Sequence, residues 1–285
     1  MEESNFSDKV ITIVGLGVIG GAFAMALREL KPKGLYGVDL KTETLKKAES
    51  MGIIDQGYLD PQEILKRSDL VVICIYPKLI VDFVRKNKHN FKPGAVITDT
   101  SGVKNALTKE IIKILPDNVD FIFGHPMAGR EKRGLEYASR EAFKGANYII
   151  TPLERNKEEN IKLIENLVKR IGFKRVSRLS PERHDEIIAY TSQLPHALAV
   201  ALINSEAFTQ EVGAFIGDSY RDLTRIAQIN DELWSELFFT NRDNLVKQIE
   251  MFEQKLGAIK KAVLNLDKEM LVENFKEASR RRSEL

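Results

Sequence analysis

A histidine set among small residues, a glycine run near the amino terminus and an aspartate between them are the positions whose types and spacing suggest chemistry. His125 lies in Gly124-His125-Pro126-Met127-Ala128-Gly129, just past an apolar run that reads as a strand. An imidazole there could accept a proton near neutral pH, which the oxidation of an alcohol requires. The plain alternative is a loop histidine satisfied by nearby backbone. Gly15-Leu16-Gly17-Val18-Ile19-Gly20 fits G-x-G-x-x-G between a strand and a helix. In that context Gly15 permits a tight turn, Gly17 lets the backbone approach a pyrophosphate, and Gly20 allows close helix–strand packing. The start of the helix, Val18 and Ile19 included, offers free N–H groups to phosphates. Asp39 stands nineteen residues beyond Gly20. A carboxylate there accepts hydrogen bonds from adenosine ribose hydroxyls and repels a 2′-phosphate. NAD is therefore expected over NADP, although Lys41 is near enough to soften the preference.

These groups need a scaffold that brings strand ends together. Strands are expected at Val10 to Val14, Leu35 to Asp39, Leu70 to Ile75, Ala95 to Asp99, Phe121 to Gly124, Tyr148 to Thr151 and Arg175 to Arg178. Helical stretches separate them. Strand–helix alternation argues for βαβ units, and near-continuous apolar strands fit a sheet covered on both faces. The fold class expected is an α/β Rossmann-like domain with a predominantly parallel sheet over 1–178, followed by an all-helical domain over 179–285. The carboxyl ends of the later strands present Tyr76-Pro77, Thr98 to Gly102 (with Thr100 among them) and His125. These form the candidate nicotinamide side of the crevice. Ser180-Pro181-Glu182 has the pattern of a helix start, and the periodicity beyond it is helical to the end. Leu245, Ile249, Phe252 and Leu256 share one helical face. Arg280-Arg281-Arg282 read as a solvated helix terminus.

The whole-chain balance narrows the partners. In 285 residues, 43 basic and 41 acidic side chains give a formal charge of +2. That gives no reason to expect nucleic acid or a membrane surface. No apolar run is expected to approach the ~20 residues of a membrane span, and the polar start is not a signal peptide. Cys74 stands alone inside an apolar run, so it reads as inert packing. A cytoplasmic protein is expected.

The G-H-P-M-A-G block followed by Glu131, with the amino-terminal glycine motif, resembles prephenate and arogenate dehydrogenases. The resemblance continues through His184-Asp185, Leu194-Pro195-His196, Arg221-Asp222-Leu223-Thr224-Arg225-Ile226-Ala227 and Trp234, and so covers nearly the whole chain. It implies a Rossmann-like domain followed by a helical domain that builds a homodimer. It implies NAD-dependent oxidative decarboxylation of prephenate, with His125 taking the proton of the ring hydroxyl and no metal. Arg225 is then the candidate fork for a substrate carboxylate, with Asp222 orienting it or pairing with it. His196 would contact substrate, and Glu131 would hydrogen-bond or gate the entrance. His184 reads as a packing or capping group, His89 as solvent-facing and Trp234 as core.

The chain departs from the family pattern in three places. Many members carry serine directly before the Val-Lys pair, where it supports the catalytic histidine; here Gly102 holds that place and Ser101 precedes it. Ser192-Gln193-Leu194-Pro195-His196 lacks one histidine of the usual block. The glycine-rich approach to Arg-Asp is thinned to Gly217-Asp218-Ser219-Tyr220. Feedback by tyrosine as an inhibitor touches this same region. The rival readings are arogenate as substrate, a β-hydroxyacid or pyrroline carboxylate dehydrogenase, and an NAD-binding sensor without turnover.

Overall fold

The computed structural model describes residues 6–129, 132–205 and 212–284. Eight strands form one sheet: β1 Val10–Val14, β2 Gly34–Val38, β3 Gln56–Tyr58, β4 Leu70–Ile73, β5 Val96–Asp99, β6 Asp120–Pro126, β7 Asn147–Thr151 and β8 Arg175–Arg178. Their order is β3-β2-β1-β4-β5-β6-β7-β8. The helices of this half are α1 Val18–Arg28, α2 Thr42–Ser50, α3 Gln62–Leu65, α4 Pro77–Asn87, α5 Asn105–Ile114 and α6 Glu158–Arg170.

Alternation along each strand sends side chains to two cores. Ile11 and Ile13 of β1, with Leu70 and Val72 of β4, join Phe23 and Leu27 of α1 and Ile164 and Leu167 of α6 on one face. Val14, Val71 and Ile73 join Ile80 and Val84 of α4 and Leu107 and Ile111 of α5 on the other. A period of two with both faces apolar produces the continuous hydrophobic runs seen in the sequence.

The sheet differs from expectation in two respects. The edge strand β3 had no hydrophobic signature: Gln56-Gly57-Tyr58 is only three residues long, and beyond its backbone pairing with β2 it offers one ring, Tyr58, edge-on to Tyr36. β6 and β7 pair antiparallel, with His125 opposite Ile149. The remaining neighbours are parallel, including β7 with β8.

After β8 the described residues are helical: α7 Pro181–Ile188, α8 Leu194–Asn204, α9 Asp218–Thr224, α10 Asp231–Thr240, α11 Arg242–Leu264 and α12 Lys268–Ser283. Ser180 caps α7, its hydroxyl accepting from Arg183 N at 3.2 Å. A wider π turn over Ala189–Gln193 joins α7 to α8. The resulting run Pro181–Asn204, of mean hydropathy 1.2, is long and apolar enough to cross a membrane, contrary to the sequence expectation. It is nevertheless built into this half: His184 and Asp185 in its first turns are buried. Gln193 donates to Leu237 O, and Asn241 donates both to Gln193 Oε1 and to Asp185 O.

Candidate active site

The glycine loop closes between β1 and α1. Gly15 has φ +86°, and a Cβ there would lie 2.6 Å from the carbonyl oxygen of Cys74. At Gly20 a Cβ would run into the backbone of Gly15, whereas at Gly17 it would meet nothing within 4 Å. The first and third glycines therefore serve the turn itself, and the second faces open space where a ligand can approach. Gly17 caps α1 without any side-chain hydrogen bond, so the N–H groups at Val18 and Ile19 point to the same opening. Asp39 lies beside it: Oδ2 accepts from Leu16 N at 2.9 Å and Oδ1 from Lys41 N at 3.0 Å. An open glycine, uncapped helix N–H groups and a fixed carboxylate fit the pyrophosphate and ribose of a dinucleotide.

The neighbouring strand ends point to the same edge. Tyr76 and Pro77 open α4, with Pro77 at its first turn. Thr100 N–H donates to Ile73 O at 3.1 Å, tying the end of β5 to β4. Ser101 spends its hydroxyl on Val103, donating to its carbonyl at 3.1 Å and accepting from its N–H at 3.3 Å.

His125 sits within β6 near its carboxyl end. Its Nδ1 lies 2.9 Å from Nε2 of His184, whose Nδ1 lies 2.7 Å from Asp185 Oδ1. Asp185 Oδ1 also accepts from Lys104 N at 2.8 Å, and Oδ2 accepts from Asn105 N at 2.9 Å. Lys104 is itself buried, its ammonium donating to Asp99 Oδ2 at 2.6 Å and to Ser101 O at 2.9 Å. Asp99 Oδ1 accepts from Gly124 N at 3.1 Å, immediately before the histidine. Burial first, then the His184 ring and the Lys104 ammonium, hold the His125 imidazole well below the usual histidine range. Burial also lowers His184, against the pull of Asp185. Both rings are therefore neutral at rest, and His125 is available as a proton acceptor.

His184 is thus a correction: not a mere packing or capping group, it touches the catalytic candidate. Sequence spacing could not pair two histidines 59 positions apart. The adjacent Asp185 was the one usable signal, since a carboxylate beside a histidine orients it. Trp234 is also more than core: its ring stacks on His196 at 3.6 Å between centroids and stays half-buried. His196 Nδ1 contacts Ser192 O at 2.8 Å, which turns the ring.

α10, which carries Trp234, is tied to the start of α4. Asn230 donates to Tyr76 Oη at 3.0 Å and accepts from Arg133. The buried Glu236 accepts from Lys78 N at the start of α4. Arg225 and Asp222 are exposed, Asp222 on α9 and Arg225 in the turn after it, which packs on α8. Glu131 lies outside the described residues.

A model of the prephenate dehydrogenase nucleotide-binding domain matches residues 23–177, and one of the prephenate dehydrogenase dimerization domain matches 180–277. The chain belongs to the prephenate dehydrogenase family. Within that family it is 29% identical to prephenate dehydrogenase of Bacillus subtilis over 94% of this chain and 74% of that protein. It is 28% identical to cyclohexadienyl dehydrogenase of Zymomonas mobilis, over 96% and 95% of the two chains. Prephenate dehydrogenase from A. aeolicus, solved in complex with hydroxyphenyl propionate and NAD+, superposes with a TM-score of 0.89 at 33% identity, covering 98% of both chains. Synechocystis arogenate dehydrogenase gives 0.82 at 26% identity, covering 96% of this chain and 99% of that one. The chain is accordingly an oxidoreductase of this family, and its helical half is a dimerization domain.

Proposed function

We propose that this chain catalyses the NAD-dependent oxidative decarboxylation of prephenate to 4-hydroxyphenylpyruvate, a step in tyrosine biosynthesis, as a cytoplasmic homodimer divided into domains 1–178 and 179–285. The observation that carries the reading is the neutral, enclosed imidazole of His125 on the same sheet edge as the Gly15–Gly20 loop. His125 takes the proton from the ring hydroxyl. NAD, when bound, supplies the hydride acceptor, and the ring carboxylate leaves as CO2 as the ring becomes aromatic. Gly15 to Gly20 and Asp39 hold the dinucleotide, with Tyr76, Pro77 and Thr100 on its nicotinamide side. Ser101 shapes the loop beside His125. Arg225, oriented by Asp222, grips a substrate carboxylate; His196, braced by Trp234, contacts the ring; Glu131 stands at the entrance. Tyrosine, which resembles the product ring, inhibits at the same place.

Arogenate is the second reading, favoured by the name of the Synechocystis relative. A steady-state assay of NADH formation with each substrate and each cofactor separates the readings. Prephenate with NAD is expected to have the highest kcat/KM. A chain that binds NAD and turns over neither compound is a sensor, and activity with NADP alone overturns the role given to Asp39. His125→Asn is expected to lower kcat on the order of 10²–10⁴-fold with NAD affinity unchanged.

A further inference from the structure

The hydrogen bonds behind His125 fix which of its nitrogens carries the hydrogen. Asp185 is buried at the amino-terminal end of α5, and both its oxygens already face backbone N–H groups, those of Lys104 and Asn105. Those partners can only donate, and the positive end of a helix favours the carboxylate. Asp185 Oδ1 therefore accepts from His184 Nδ1–H across 2.7 Å. A neutral His184 then presents only a lone pair at Nε2. The 2.9 Å contact to His125 requires the hydrogen to lie on His125 Nδ1. Nε2 of His125 is left bare.

The space at that nitrogen agrees. Among the described residues no protein group hydrogen-bonds Nε2. A Cβ added to Gly102 would stand 3.7 Å from it and 3.3 Å from the Leu237 side chain. Glycine at this place sets no side chain of its own against the lone pair, and the nearest neighbour of that Cβ is the apolar Leu237, which cannot hydrogen-bond the nitrogen.

We propose that His184 and Asp185 are positioning residues, forming a carboxylate–imidazole–imidazole chain that holds His125 as its Nδ1–H tautomer and shares the proton it collects. The proposal rests on the reading of His125 as the base. In the step, the substrate O–H bond breaks and an N–H bond forms at His125 Nε2. The Nδ1 hydrogen passes to His184 Nε2, and the positive charge comes to lie beside the Asp185 carboxylate. The surroundings suit that movement. Asp99, Lys104 and Asp185 together carry one net negative charge in the interior. Glu236, on α10, is turned to Lys78 N. Uptake of one proton neutralises the cluster, whereas an imidazolium without partners there would meet the full cost of burial.

Three variants and one spectrum test this. Asp185→Asn lets an amide donate to His184 Nδ1, which reverses the chain and moves the His125 hydrogen onto Nε2; kcat is expected to fall on the order of 10²–10⁴-fold. His184→Gln keeps an acceptor for His125 Nδ1–H but cannot take the proton. It is expected to retain more kcat than His184→Phe and to shift the acidic limb of the kcat–pH profile. KM and NADH affinity are expected to change little, whereas loss of a merely structural group would depress the Gln and Phe variants alike. Imidazole ¹⁵N shifts of the wild-type protein are expected to report Nδ1–H on His125 without any substrate. An Nε2–H tautomer overturns the proposal, as does Asp185→Asn with kcat within about threefold of wild type. Should the wild type oxidise neither prephenate nor arogenate, the functional reading fails, and the tautomer spectrum still decides the chain of hydrogen bonds.

Discussion

The sheet half and the helical half bury their side chains in different ways. In the first, both faces of the sheet are sealed by helices, and the two apolar cores close within one chain. In the second, the apolar side chains largely face outward: Leu202, Phe239, Met251, Leu256, Val263 and Leu264 are all exposed. Exposed apolar surface on that scale marks an interface. The buried groups near the junction are polar instead, including Asp99, Lys104, His184, Asp185, Gln193, Glu236 and Asn241. One half is thus stabilised by its own hydrophobic burial. The other leaves apolar surface exposed, as its match to a dimerization domain would lead one to expect, and is fastened to the first by hydrogen bonds and charge. The candidate base His125 lies at this seam, held through His184 by Asp185.

Charging the outward face of α11 tests the contrast most severely. Leu256→Glu with Val263→Glu is expected to give monomers by light scattering and to melt the helical half at lower temperature, in a concentration-dependent manner. The sheet half should keep its NAD affinity. A dimer that survives both changes breaks the comparison. At the seam, Lys104→Met strands Asp99 without its ammonium partner. It is expected to cost about 3–5 kcal/mol in urea unfolding, and full stability would show that this buried pair contributes nothing.

A smaller effect concerns pH. Both His125 and His184 are lowered in the folded protein, with burial as the first cause. Below the ordinary histidine value the unfolded chain binds the extra protons and the folded chain does not, so stability is lost as pH falls below about 6.5 toward the lowered folded values. The slope is about 1.4 kcal/mol per pH unit for each proton. His125→Asn is expected to flatten it, measured as urea midpoints between about pH 7 and about pH 5. The smallest effect is at the clasp. Asn230→Ala removes the cap on α10 and the bridge to Tyr76 and Arg133. It is expected to cost about 1 kcal/mol and to raise KM more than it lowers kcat.

The glycine motif, Asp39 and the apolar strands were legible because their signals are local: a left-handed turn demands glycine, and a strand covered on both faces demands an unbroken apolar run. β3 was not legible, because a three-residue edge strand is too short to show an alternating side-chain pattern. Nor was the antiparallel pairing of β6 with β7, since strand direction depends on the path of the chain between them. His184 escaped for a related reason, as its role exists only once α7 crosses the end of β6.

Residue type and spacing alone established a dinucleotide loop, an alternating α/β half, a helical half and a histidine suited to accept a proton, because each is written in short-range constraints on backbone and burial. Only the tertiary structure decided what stands behind His125, that Trp234 stacks on His196, and that α10 reaches the start of α4. Those are contacts between residues 38 to 158 positions apart, and their energy depends on distance in space, which no sequence interval encodes.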